Sequence, residues 1–328
     1  MGLIKLLKQL VEIPSPSGKE DEIAIFLSDY INNLGFKTKI EDSNLIINSK
    51  SDFFVTTHID TVGTKKPFSF DGKFAHGTGV CDAKGSIAAI LISLERIDEL
   101  NYGIVFFSDE EEGGEGSKIF SGKHKPKMAV VMEPTSLAIA KRQYGSLEVE
   151  LEIKGEKAHG SMPEFGINAI EKTIEFFESL KSLKTKFPPI KFSILKIEGG
   201  SDEYVIPDRC KVKLDFVYPP EVSVSQLKNK ILNISKYYGS VEIIEECGGF
   251  EGVKVVELLE RAIKMAKLGV RYSEMPSWTD AINLKLSNCD VAVWGPGELR
   301  YCHTEMERID VNEILKASDV LVRLNELV

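Results

Sequence analysis

Apolar residues recur every three or four positions at the start of the chain, where Leu3, Leu6, Leu7, Leu10 and Val11 fall on one helical face. Pro14-Ser15-Pro16-Ser17-Gly18 then reads as a turn, and Ile23, Phe26, Leu27, Tyr30 and Ile31 predict a second helix over 20–34. Short apolar runs at 53–57, 104–108 and 129–132 predict buried strands, and 85–97, rich in Ala, Ile and Leu, predicts a buried helix between the first two. This alternation predicts an α/β domain with a doubly wound, mostly parallel sheet, whose ligands gather beyond the carboxyl ends of the strands. The pattern changes after residue 143: strand 147–153, helix 168–183, strands 192–197 and 212–217, helix 224–238 and strand 241–245 follow in turn. That order is the split arrangement of a ferredoxin-like α+β sandwich, expected as an inserted domain over 144–249. A helical period returns at 253–268, and 291–294 is a last buried run before Gly295-Pro296-Gly297.

The 328 residues are enough for about two domains. With 50 acidic against 41 basic residues the net charge is -9, which disfavours nucleic acid and anionic membranes as partners. No stretch approaches the roughly 20 apolar residues of a membrane span, and the first residues lack a small-residue cleavage site, so a cytoplasmic protein is expected. The five cysteines are odd in number and form no C-x-x-C, so reduced thiols are expected. The lysine-rich stretch 181–191 reads as a solvated face.

The candidate chemistry lies in His58, Asp60, Asp82, Glu110, Glu111, Glu133 and His303, each just past an apolar run or a turn. Five of these seven are carboxylates, and a shared cavity could not hold their charge uncompensated. Two divalent cations would cancel most of it, with imidazole nitrogens and carboxylate oxygens as a zinc-type ligand set. In His58-Ile59-Asp60 residues two apart on an extended chain share a side, so the Asp can orient the His. Gly77-Thr78-Gly79-Val80-Cys81-Asp82-Ala83-Lys84-Gly85 fails both the dinucleotide and the P-loop patterns, and reads as a tight loop presenting Asp82. In Asp109-Glu110-Glu111-Glu112 adjacent acids point apart, so one can ligate while its neighbour serves as general base. Because Glu133 precedes the insertion and His303 follows it, the first domain is expected to be discontinuous, 1–143 with 250–328.

Taken in order, these elements resemble the co-catalytic zinc family of acetylornithine deacetylase, succinyl-diaminopimelate desuccinylase, acetyl-lysine deacetylase, glutamate carboxypeptidases and aminoacylases. The resemblance runs from Val11-Glu12-Ile13-Pro14-Ser15 to Cys302-His303-Thr304. It implies one cation on His58, Asp82 and Glu133 and a second on Asp82, Glu111 and His303, with Glu110 as base and Asp60 supporting His58. It implies zinc, with cobalt or manganese as alternatives. It also implies that His159, in Ala158-His159-Gly160-Ser161-Met162-Pro163, hydrogen-bonds the developing oxyanion in a partner's site, within a homodimer formed through 144–249.

Three departures bear on substrate. The Arg or Lys usual before a glycine at the domain entry corresponds to Tyr144, and the Asp-x-Arg strand to Asp215-Phe216-Val217; the usual Asn before Val-Ile-Pro corresponds to Tyr204. Arginine is the preferred fork for a carboxylate, and Arg142, Arg209 and Arg300 are the substitutes nearest in sequence. The expected activity is removal of an acyl group from an N-acyl amino acid, as in acetyl-lysine and acetylornithine deacetylases of amino-acid biosynthesis. The alternatives are a metallopeptidase for short peptides and a non-catalytic dimeric binding protein.

Overall fold

The computed structural model describes residues 2–63, 66–186 and 190–328. Of the lysine-rich stretch, 187–189 lie outside the described residues, while Lys181 and Lys191 are exposed. The chain divides into two compact units, one of Met1–Arg142, Glu251–Met275 and Thr279–Val328, the other of Gln143–Phe250 with Pro276–Trp278.

The first unit is built on a nine-stranded sheet. Its centre is four parallel strands in the spatial order Gly103–Phe107, Phe53–His58, Met128–Val131 and Asp290–Val293. These strands are buried on both faces, which is why they read as unbroken apolar runs. The flanks are antiparallel, so the sheet is mixed: the hairpin Thr38–Glu41 with Asn44–Ile47 joins one edge through Gly103–Phe107, and Ile139–Gln143 pairs with Asp290–Val293 on the other side. Helices Leu3–Glu12 and Lys84–Leu94 pack together, Val311–Asn325 packs on the latter, and Lys254–Met265 on Val311–Asn325. Leu6, Leu10, Val55, Ile87, Ile90, Phe106, Val130, Trp294 and Leu321 belong to one buried cluster. Each such side chain contributes about 1.5–3 kcal/mol by leaving water.

A small antiparallel sheet, Ser69–Phe70, Phe74–His76 and Arg308–Asp310, sets Ile309 opposite Ala75. It fixes the segment after His303 beside the loop that carries Asp82. The Glu307 carboxylate, 3% exposed, accepts the backbone N–H groups of Gly79 at 3.1 Å, Cys81 at 3.0 Å and Asp82 at 3.4 Å.

The second unit has a four-stranded antiparallel sheet in the order Lys191–Gly199, Arg209–Tyr218, Gly145–Lys154 and Gly239–Cys247, with helices Ala169–Lys186 and Val224–Ser235. Leu147, Val149, Leu151 and Ile153 alternate inward to meet Phe176, Leu214, Phe216 and Ile231. This is the ferredoxin-like arrangement. All five cysteines are free thiols, and no helix among the described residues is long and apolar enough to cross a membrane.

Candidate metal centre

His58 is the last residue of Phe53–His58 and fully buried. Its Nδ1 lies 3.0 Å from the Asp60 carbonyl oxygen and 3.3 Å from Asp60 Oδ1. An ionised carboxylate and a carbonyl only accept, so Nδ1 carries the proton. Nε2 then faces Asp82 Oδ1 at 3.0 Å and Glu133 Oε2 at 3.9 Å. A lone pair aimed at carboxylate oxygens is tolerable only with a cation or a second proton between them. Burial works against that proton, but the charges of Glu110 and Glu133 together with the bonds to Asp60 and Asp82 outweigh it and raise the His58 pKa well above the ordinary imidazole range.

Asp82 spans two imidazoles: its other oxygen, Oδ2, lies 3.4 Å from His303 Nε2. Burial alone would raise its carboxyl, and the bonds to His303 and His58 hold it well below the usual range. His303 Nε2 is 3.0 Å from Glu111, and its bonds to Asp82 and Glu111 push its pKa up to about 10. His58, Asp82 and Glu111 each offer a ligand atom, all within 4.8 Å of one another. Glu133 Oε1 is buried with no hydrogen-bond partner among the described residues. Burial raises the carboxyls of Glu133 and of the partly exposed Glu110 well above normal, with the other acids of the centre adding to it. Nitrogen and oxygen donors converge here, held apart by protons whose place a cation can take, so the residues fit a divalent cation.

The positions follow from the strand ends. Glu133 lies two residues beyond Met128–Val131, and Gly295 two beyond Asp290–Val293; a Cβ on Gly295 would come within 2.7 Å of the Glu133 carbonyl oxygen. After Gly103–Phe107 the chain reverses through Asp109, whose φ of 62° is in the left-handed region that Asp tolerates better than most residues. That reversal aims two backbone donors at Asp60: Glu110 N–H reaches Oδ1 at 3.1 Å and Glu111 N–H reaches Oδ2 at 3.0 Å. Ser17 Oγ donates to Oδ2 at 2.7 Å. His303 also has a left-handed φ, 59°.

Three contributors were not visible in the sequence. Ser17 sits in a segment legible only as a turn, and Glu307 lies in a run of charged residues with nothing to mark its burial. Asp280 is fully buried, and neither of its oxygens has a hydrogen-bond partner among the described residues. The nearby Ser117 hydroxyl gives its hydrogen to the Gly114 carbonyl at 3.1 Å, and burial raises the Asp280 carboxyl to about 7.

His159 belongs to the other unit and is exposed. The substitute arginines are already paired: Arg142 with Glu274 at 2.9 Å, Arg209 with Glu152 at 3.0 Å and Arg300 with Glu298 at 2.7 Å. Tyr144 is buried, and Asp215 accepts the Ser146 hydroxyl at 2.6 Å.

An imidazole and carboxylate centre at the carboxyl ends of a parallel sheet, in a chain with a separate ferredoxin-like unit, defines a metal-site hydrolase acting on C–N bonds. Residues 142–240 match the peptidase dimerisation domain. The chain is 29% identical to a Pyrococcus abyssi protein named as a proposed LysW-lysine/LysW-ornithine hydrolase, over 97% of this chain and 91% of that one. It is 26% identical to acetylornithine deacetylase of Proteus mirabilis, over 98% of this chain and 96% of that one. Among solved structures, a Staphylococcus aureus tripeptidase superposes with a TM-score of 0.85 at 20% identity, covering 99% of this chain and 97% of that one, a likeness of fold. These likenesses are to M20 metallopeptidases, and the activity they support for the chain is hydrolysis of an acyl or peptide amide bond. A purely binding role is set aside.

Proposed function

We propose that this protein is a two-metal amidohydrolase that removes the acyl group from a small N-acyl amino acid. The observation that carries the reading is the reach of Asp82, one oxygen 3.0 Å from His58 and the other 3.4 Å from His303, the arrangement a bridging carboxylate requires. His58, Asp82 and Glu133 would hold one cation, and Asp82, Glu111 and His303 the other. Zinc, or cobalt or manganese, bound there would polarise the scissile carbonyl and lower the pKa of a water toward neutrality. Asp60 holds the His58 ring and, through two N–H groups, the Glu110-Glu111 turn. Glu110 takes the proton of the attacking water and passes it to the leaving amine. His159, supplied across a homodimer formed through 144–249, donates to the developing oxyanion.

Similarity along nearly the whole chain to an acetylornithine deacetylase supports a deacylase. The test is a hydrolysis panel of N-acetyl-lysine, N-acetylornithine, succinyl-diaminopimelate and dipeptides, with zinc, cobalt or manganese added. Turnover of an N-acyl amino acid supports the reading; cleavage of the peptides alone replaces it with a peptidase.

A further inference from the structure

His159 is an exposed side chain, and an exposed imidazole ordinarily samples several rotamers and both neutral tautomers. Here two contacts restrict it. Its Nδ1 accepts the backbone N–H of Ser161 at 3.3 Å and lies 2.8 Å from Ser161 Oγ. A backbone N–H can only donate, so the lone pair is on Nδ1, and the single proton of the neutral ring is on Nε2. The second contact is Tyr204, whose ring meets the imidazole edge to face, with centroids 5.4 Å apart and planes at 83°.

Tyr204 is 69% exposed, so burial does not account for its placement. Its backbone is instead tied to the His159 turn. Gly160 N–H donates to the Tyr204 carbonyl at 2.9 Å, Ile206 N–H donates to the Ala158 carbonyl at 2.8 Å, and Val205 bridges His159 in antiparallel fashion. A Cβ on Gly160 would stand 3.1 Å from the Tyr204 ring, tighter than carbons ordinarily pack, so glycine leaves the room the aromatic ring occupies.

We infer that Ser161 and Tyr204 are positioning residues for His159: Ser161 fixes its proton on Nε2, and Tyr204 fixes the plane of its ring. The consequence rests on the proposed role of His159 as oxyanion donor. A donor set in one tautomer and one plane before substrate arrives does not have to be ordered during the reaction. The bulky ring at the position of the family's usual Asn would then act through the imidazole.

The tautomer is tested without substrate. In full-length protein with 15N-labelled histidine at pH 8, with His159→Gln assigning the resonances, Nε2 should be protonated and Nδ1 bare. Ser161→Ala should raise the fraction protonated on Nδ1. A wild-type ring protonated mainly on Nδ1 overturns the Ser161 assignment, and an unchanged ratio in Ser161→Ala, which keeps the backbone N–H, overturns the part given to the hydroxyl. Kinetics with the panel substrate hydrolysed fastest test Tyr204. Tyr204→Ala should lower kcat about tenfold with KM within twofold, the size of effect that misplacing a catalytic group produces, while Tyr204→Phe keeps both. Equal kcat in Tyr204→Ala, beside a large loss in His159→Ala, overturns the Tyr204 assignment. A His159→Ala variant as active as wild type overturns the proposed role of His159 instead, and the spectra still decide how the ring is held.

Discussion

Asp60→Asn is the sharpest single perturbation of the centre, because every hydrogen-bonding partner of the carboxylate gives it a hydrogen. Oδ1 faces His58 Nδ1 at 3.3 Å and Glu110 N at 3.1 Å, and Oδ2 faces Ser17 Oγ at 2.7 Å and Glu111 N at 3.0 Å. Burial would raise this carboxyl, yet the bonds from His58, Glu111 and Ser17 hold it below the normal range, so it is ionised. Asparagine keeps the shape and one acceptor oxygen, but its NH2 must point at a backbone N–H and at either the His58 Nδ1–H or the Ser17 hydroxyl, which alone of the four can turn to accept. Charge-assisted bonds contribute about 1.5–3 kcal/mol each, so losing two costs about 3–6 kcal/mol before any relief. Removing one negative charge near Asp280 and the glutamates returns part of that, leaving a net loss on the order of 2–4 kcal/mol. Ser17→Ala breaks only one of the four contacts and should cost about 1.5–3 kcal/mol. Urea unfolding followed by fluorescence of the buried Trp294 in the same unit measures both. Zinc affinity, measured against a competing chelator, should fall about 10–100-fold in Asp60→Asn as His58 loses the group that orients it. Unfolding midpoints and zinc affinity equal to wild type would refute the orienting role of Asp60.

Glu110→Gln keeps the side-chain volume but cannot take a proton, so turnover should fall roughly 10²-fold or more with metal content unchanged; an active variant, or one that loses metal, contradicts the base assignment. His303 has a folded pKa raised to about 10 from an ordinary value near 6.5, so its contribution to stability is full below about pH 6.5 and is lost as pH rises to about 10. Metal-free wild type should therefore lose melting temperature across that window more steeply than His303→Ala, with Glu110 and Glu133, raised by burial, acting with the same sign at its lower end. Parallel melting curves would count against the His303 pairing. Mixing inactive His159→Ala with inactive Glu110→Gln should restore about a quarter of wild-type activity once subunits exchange, since half the dimers are mixed and each has one complete site. No recovery after demonstrated exchange means that His159 does not act across the dimer.

What could be read in advance depended on how local the determinants were. Buried parallel strands appear as apolar runs, and polar residues at their carboxyl ends follow each run by one to three positions, so His58, Glu110, Glu111 and Glu133 could be picked as candidates. The hairpin at 38–47 did not. It turns through Asp42 and Ser43, with φ of 50° and 64°, where a glycine would have marked the turn, and its outer strand is polar and largely exposed. The helix Glu115–His124 was equally hidden, a polar segment with two glycines. Asn283 secures its start, donating at 2.9 Å to both Gly114 O and Ser117 Oγ, so the determinant lies more than 160 residues away. Asp280 and Glu307 show the same limit in the site itself. An acid in a polar stretch looks solvated until the fold buries it, and only the backbone of the Gly77-to-Asp82 loop shows why Glu307 is tolerated there. Asp280 has no such compensation. Buried beside the five carboxylates counted from the sequence, with its pKa raised to about 7, it is a sixth acid of the centre, and a divalent cation bound there would draw it toward the ionised form.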